Sequence, residues 1–208
     1  ASKVEAQGFA NLARSLDSMT NYFLRQAEQK APIEGAEYGA LNAPTEQQIR
    51  DAYDRGEEIE IPGNQNSVFG RAARKAALSI ASDEVSALAS KELANVEGIF
   101  NTILDSPSMP EEEKQRLAEQ LGITDFSPQS LVTVMDTVIA GYGKTLDDTS
   151  PALARRFRAE QSITANGKWT KYLNAYVKQE NQKLESSFRV NHAENYSESK
   201  ISSNLELP

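Results

Sequence analysis

The apolar positions of this chain recur at helical spacing over most of its length and alternate as a strand would only once. Phe9, Leu12, Ala13, Leu16, Met19, Phe23 and Ala27 follow the three-four spacing of one helical face, with Arg14, Asp17, Asn21, Arg25 and Glu28 between them. That spacing predicts a long amphipathic first helix over residues 1–30. Pro32 biases the residue before it away from the helical region, and Gly35 and Gly39 follow, so residues 31–44 read as a linker. Thr45 with Gln48 three residues on is a capping-box pattern, opening a short helix whose face carries Ile49, Ala52 and Tyr53. Gly56 closes that helix as a left-handed cap. Ile59 and Ile61 then alternate with glutamates in a short extended piece, and Pro62-Gly63 turns the chain.

The next face is Phe69, Ala73, Ala76 and Ile80, whose alanines leave room for a neighbouring backbone. Ser82-Asp83 reads as a stop and restart before a helix carrying Ala89, Leu93, Val96, Phe100 and Ile103, which Ser106-Pro107 ends. Ser108 paired with Glu111, Pro110 in the first turn and the run Glu111 to Glu113 mark a new helix start, closed by Gly122. Ser127-Pro128 and Ser150-Pro151 repeat one device, a serine cap followed by proline at the first helical position. Between them Leu131, Val134, Met135, Val138 and Ile139 form the most broadly apolar helix, the candidate central core element. After Leu153, Ala154, Phe157 and Ile163, Asn166-Gly167 reads as a break, and a last helix carries Trp169, Tyr172, Leu173, Tyr176, Leu184 and Phe188. From His192 the chain is polar and nearly aperiodic, so residues 192–208 read as a flexible tail or the start of a further segment. The expected fold is all-α, an irregular bundle of about seven to eight short and medium helices, with one helical domain over 45–191.

Composition narrows the chemistry more than the fold. The 208 residues fit one large domain or two small ones. With no cysteine, a disulfide framework, a zinc-thiolate site and a thiol nucleophile are all excluded for this sequence. The first residues lack the apolar stretch of a signal peptide and no run has the length of a membrane span, so the expectation is a soluble protein. The formal charge of −8 argues against a whole-domain nucleic-acid binder and permits transient contact with DNA.

Candidate chemistry is sparse. Glu111, Glu112, Glu113 and the pair Asp147-Asp148 could supply the two carboxylates of glycoside cleavage, but helix capping and a solvated turn account for them. His192 is the single histidine and reads as a bystander. Gly141 to Lys144, GYGK, follows a helix rather than a strand and lacks the spacing of a phosphate loop. Arg71, Arg74 and Lys75 form one basic cluster and Arg155, Arg156 and Arg158 another, either able to meet DNA phosphates or an acidic neighbour, or to be a solvated face. Trp169, Tyr172 and Tyr176 make an aromatic stripe better suited to packing than to base stacking. No catalytic, metal-binding or cofactor-binding residue is expected, and the interaction and packing candidates are Gly56, Arg71, Ala73, Arg74, Lys75, Ala76, Arg155, Arg156, Trp169, Tyr172 and Tyr176.

The run from Thr45 to Val85, TEQQIRDAYDRGEEIEIPGNQNSVFGRAARKAALSIASDEV, resembles the N-terminal part of the medium-sized internal core, or DNA-ejection, proteins of short-tailed bacteriophages. Thr45, Gln47, Gln48, Arg50, Ala52, Gly56, Ala73, Asp83 and Val85 carry the resemblance, and the helix rich in Gln, Lys and Asn from Tyr172 to Arg189 adds to it. These are capping and packing residues rather than a chemical signature. Proteins of that family usually continue for several hundred residues, so the chain corresponds to a fragment or a short relative. The resemblance implies a structural virion protein of the capsid core, set in a homo-oligomeric ring beside the portal and other core proteins. It further implies ejection at infection, reassembly in the host envelope or periplasm, and a channel that delivers the phage genome. Two other readings stand beside it: a cytosolic helical adaptor that docks an acidic or helical partner, and a cell-wall hydrolase accompanying phage ejection.

Overall fold

The structure, a computed structural model, describes the backbone of residues 3–205 and the side chains of residues 20–190 apart from that of Phe23. The fold is all-α, with six helices among the described residues: α1 (Lys3–Leu41), α2 (Glu46–Arg55), α3 (Val68–Asp105), α4 (Glu111–Leu121), α5 (Pro128–Lys144) and α6 (Pro151–Leu205). None of the helices searched among the described residues is long and apolar enough to cross a membrane.

Six helices stand where about seven to eight are expected because two anticipated breaks are bridged. Ser82-Asp83 lies inside α3, where buried Ala81 and Val85 carry one apolar stripe across the polar pair. Asn166-Gly167 lies inside α6, flanked by buried Ala165 and by the Lys168–Glu97 ion pair. An interior glycine costs a helix only about 1 kcal/mol, which packing on both sides offsets. The expected linker over 31–44 is likewise mostly helix, since α1 runs through Pro32 to Leu41. The tail expected from His192 continues α6 as far as Leu205; the side chains of 191–208, His192 among them, lie outside the described residues, as do those of the predicted stripe from Phe9 to Met19.

The chain divides into two compact units, Ala1–Ala89 with Ala140–Arg158, and Ser90–Ile139 with Ala159–Pro208. In the first unit α1 meets α3 through glycines. A Cβ on Gly35 would overlap the backbone carbonyl of Phe69, and one on Gly39 that of Ala73. Gly63, at φ 91°, approaches the same helix, where an added Cβ would come 2.5 Å from the Gly70 oxygen and 3.0 Å from the Ala73 Cβ. This seating explains why α1 continues past Pro32: a close interhelical contact offsets the hydrogen bond that proline removes. The buried face of α3 here is Ala73, Ala77 and Ala81.

Local signals set the ends of α2. The Thr45 side chain accepts from the Gln48 amide while the Gln48 side chain accepts from the Thr45 amide, a complete capping box. Gly56 at φ 64° ends the helix, and the Glu57 amide reaches back to the Ala52 carbonyl. The extended segment after it is held by Ile59, which is buried and donates its amide to the Thr145 carbonyl. α5 extends through GYGK to Lys144, with Gly141 against the Tyr53 ring and Gly143 against the Arg158 guanidinium. Tyr53 stacks on buried Tyr142 with centroids 4.2 Å apart.

The second unit is filled by large side chains. Phe100 meets Phe126 and Tyr172 edge-on, at 5.1 and 5.4 Å, and Leu93, Val96, Leu131 and Met135 are buried with it. Its polar groups are paired: the Gln161 side chain accepts from Ser90 at 3.2 Å, and Gln179 donates to the Leu104 carbonyl at 2.7 Å. Ser127 caps α5 as expected, its hydroxyl accepting from the Ser130 amide. The Ser108 capping box does not form. Pro110 itself is the N-cap of α4 and makes no side-chain cap bond, so the three following glutamates and the helix dipole carry that terminus.

Candidate functional site: a basic cleft on α3

Arg71, Arg74 and Lys75 sit on the first two turns of α3 and line one side of an open cleft of about 680 Å³, with Leu78 and Ser79 one turn further on. The opposite side is the chain entering α6, residues 149–153. Arg71 and Lys75 are four apart and project from the same face, about 6 Å along the axis. Arg71 Nη1 donates to the Gln65 carbonyl at 3.2 Å, and Arg74 Nη2 donates to the Thr149 carbonyl at 3.2 Å. The second bond ties α3 to a loop 75 residues later, and so makes the cleft's two sides one structure.

Two features give the cleft positive potential. No carboxylate is among its lining residues, although the chain as a whole carries a charge of −8. The start of α6 also faces it: the first α6 backbone bond runs from the Ala154 amide to the Ser150 carbonyl, which leaves the preceding amides of Ala152 and Leu153 without an intrahelical acceptor.

A carboxylate cluster flanks the same loop outside the cleft. Glu58 accepts from the Asp148 amide and from the Thr149 hydroxyl, both at 3.3 Å. Partial desolvation and then the neighbouring Asp148 carboxylate raise the Glu58 pKa above its usual range. Asp147 forms a two-pronged pair with Arg158, 2.7 and 2.6 Å, whose hydrogen bonds hold its carboxyl below the usual range. The Asp147–Arg158 pair therefore orders the turn between α5 and α6.

The other sequence candidates are scattered. Gly56 is the α2 cap, and Ala73 lies under Gly39 and Gly63, whereas Ala76 is only half-buried on the adjoining face. Arg155 and Arg156 are exposed on α6 and do not line the cleft. In the second unit Trp169 donates to the Pro128 carbonyl at 3.1 Å and Tyr172 to the Phe126 carbonyl at 2.5 Å, with Tyr176 tilted against Tyr172. Burial, followed by the nearby Tyr176 and Asp125, pushes the Tyr172 hydroxyl far above the ordinary phenol value. This stripe is packing. Glu111 is paired with Lys114 at 2.7 Å on the exposed start of α4, and no group of three acidic or histidine side chains able to hold a metal occurs among the described residues.

What sequence reading lacked was the far wall. The cluster of cations is visible in α3, but nothing local announces that residues 149–153 come to face it. Comparison of the chain with family models, with curated proteins and with solved structures returned no match.

Proposed function

We propose that this chain is a structural assembly protein whose long helices are completed by neighbouring subunits. The observation that carries this reading is the set of large apolar side chains left in solvent along α1 and α6. Leu24, Ile33 and Leu41 are exposed on α1, and Ile163, Val177 and Leu184 on α6, Leu41 by 86% and Leu184 by 68%. Ile163, Val177 and Leu184 are fourteen and seven residues apart and share one face of α6. A helix with an uncovered apolar stripe gains by burying it, and a run of such positions marks an interaction surface rather than scattered exposure.

The resemblance of Thr45–Val85 gives this assembly its biological setting: the internal core of a short-tailed bacteriophage, in a ring with portal and other core proteins, ejected to form part of the genome's path into the host. Capped helices joined without disulfides suit a chain that must unfold and refold during passage. Native mass spectrometry of the purified chain tests the assembly and should give a discrete closed oligomer. Val177→Glu with Leu184→Glu should shift it to smaller species, and a monomer at all concentrations would overturn the reading. The virion setting is tested by locating the chain in a particle map, inside the capsid at the portal.

A further inference from the structure

We propose that the cleft between the start of α3 and the start of α6 is a phosphate-binding site, in which Arg71, Arg74 and Lys75 and the first amides of α6 hold one phosphate group. The proposal is independent of whether the chain assembles, since every lining residue belongs to one unit.

Several observations point to a phosphate rather than to a carboxylate ligand or to a merely solvated face. The donors come from two directions: guanidinium and ammonium groups from α3, and backbone amides from the start of α6. A tetrahedral anion with oxygens on all sides accepts from both walls at once, whereas a planar carboxylate satisfies one wall. Each arginine is oriented by one hydrogen bond to a backbone carbonyl, Gln65 for Arg71 and Thr149 for Arg74, and a guanidinium carries five N–H donors, so both remain able to bind an anion. Ser79 and Ser150 are also among the lining residues. Arg74 also couples the walls: its bond to the Thr149 carbonyl keeps the start of α6 beside the cations before any ligand arrives, which lowers the ordering cost of binding. With no aromatic side chain among the lining residues, the site has no platform for a base and would read phosphate alone.

The phosphate has two possible sources, a small free phosphate or the backbone of a single-stranded polynucleotide. The test uses the full chain, amide NMR spectra, inorganic pyrophosphate as first probe and short oligothymidylate as second. Pyrophosphate should move the amide resonances of Ala152 and Leu153 in a saturable way, and Arg71→Glu with Lys75→Glu should weaken the binding about tenfold or more. Both residues are exposed, so the double variant keeps the fold, which the rest of its spectrum verifies. If oligothymidylate moves the same amides and pyrophosphate displaces it, the phosphate belongs to a polynucleotide; if it does not, the ligand is a small phosphate. An absence of shifts at Ala152 and Leu153 with either probe overturns the proposal, as do equal shifts in the wild type and the double variant.

Discussion

The two halves of α3 bury their apolar faces by opposite means. Toward its start the buried positions are Ala73, Ala77 and Ala81, and what packs at Ala73 is backbone, at Gly39 of α1 and at Gly63. Toward its end they are Leu93, Val96 and Phe100, and what packs on Phe100 is the edges of other rings. Backbone approach makes the first unit sensitive to any added atom, and ring packing makes the second sensitive to any removed one. One helix thus carries two tolerances, and the hydrophobic pattern looks the same in both.

The largest expected effect tests the second half. Phe100→Ala removes the ring shared by Phe126 and Tyr172 and should destabilise the protein by about 3–5 kcal/mol. Denaturant unfolding measures it, and hydrogen exchange should place the loss in residues 90–139. A cost under about 1 kcal/mol would mean that the cluster closes over the gap, contrary to a tightly packed core.

Next in size is the reverse change in the first half. Ala73→Leu adds atoms where Gly39 and Gly63 already meet the helix, and overpacking of that kind costs about 1–3 kcal/mol or more. Ala76→Leu is the control: Ala76 is half-buried, so the same substitution there should cost far less. Equal stability for both variants would remove the close-approach account of this crossing. Thr45→Ala, which deletes the capping box of α2, should cost about 1 kcal/mol, read as faster exchange in the first turn of that helix.

How far these features were visible in the sequence depends on their range. Caps that close within a few residues were legible: Thr45 with Gln48, Gly56, Gly122 and Ser127 all stand at helix ends. Residues whose meaning depends on a distant partner were misread. Gly35 and Gly39 look like helix stoppers after Pro32, yet their four-residue spacing is that of a small-residue crossing, and the helix continues because α3 lies against it. Ser82-Asp83 and Asn166-Gly167 look like breaks for the same reason, since burial of Ala81, Val85 and Ala165 and the Lys168–Glu97 pair are not local properties. The cleft divides along the same line: Arg71, Arg74 and Lys75 were legible as a cluster, and its other wall, 75 residues away, was not.

The smallest expected effect lies in pH dependence, and it sets two carboxylates of the first unit against each other. Asp147 has its folded pKa lowered by the hydrogen bonds from Arg158, so its contribution is present above the unfolded aspartate value near ~3.9 and is lost as pH falls through the lowered folded value. Glu58 has its folded pKa raised, so it costs stability at neutral pH, and that cost is relieved as pH falls through the raised value toward the unfolded one near ~4.3. Asp147→Asn should therefore lower neutral stability and flatten the acid limb of the stability curve. Glu58→Gln, which keeps an acceptor for the Asp148 amide, should raise neutral stability, with the gain vanishing in acid. Both groups are partly in water, so each change is small and shrinks as salt is added. The second unit provides the internal reference, because hydrogen exchange in residues 90–139 should follow neither substitution if the two carboxylates act only on the turn that they order. Matching pH profiles for wild type and both variants would show that this turn is held by its backbone bonds, Ile59 to Thr145 and Ser150 to Leu146, rather than by its charges.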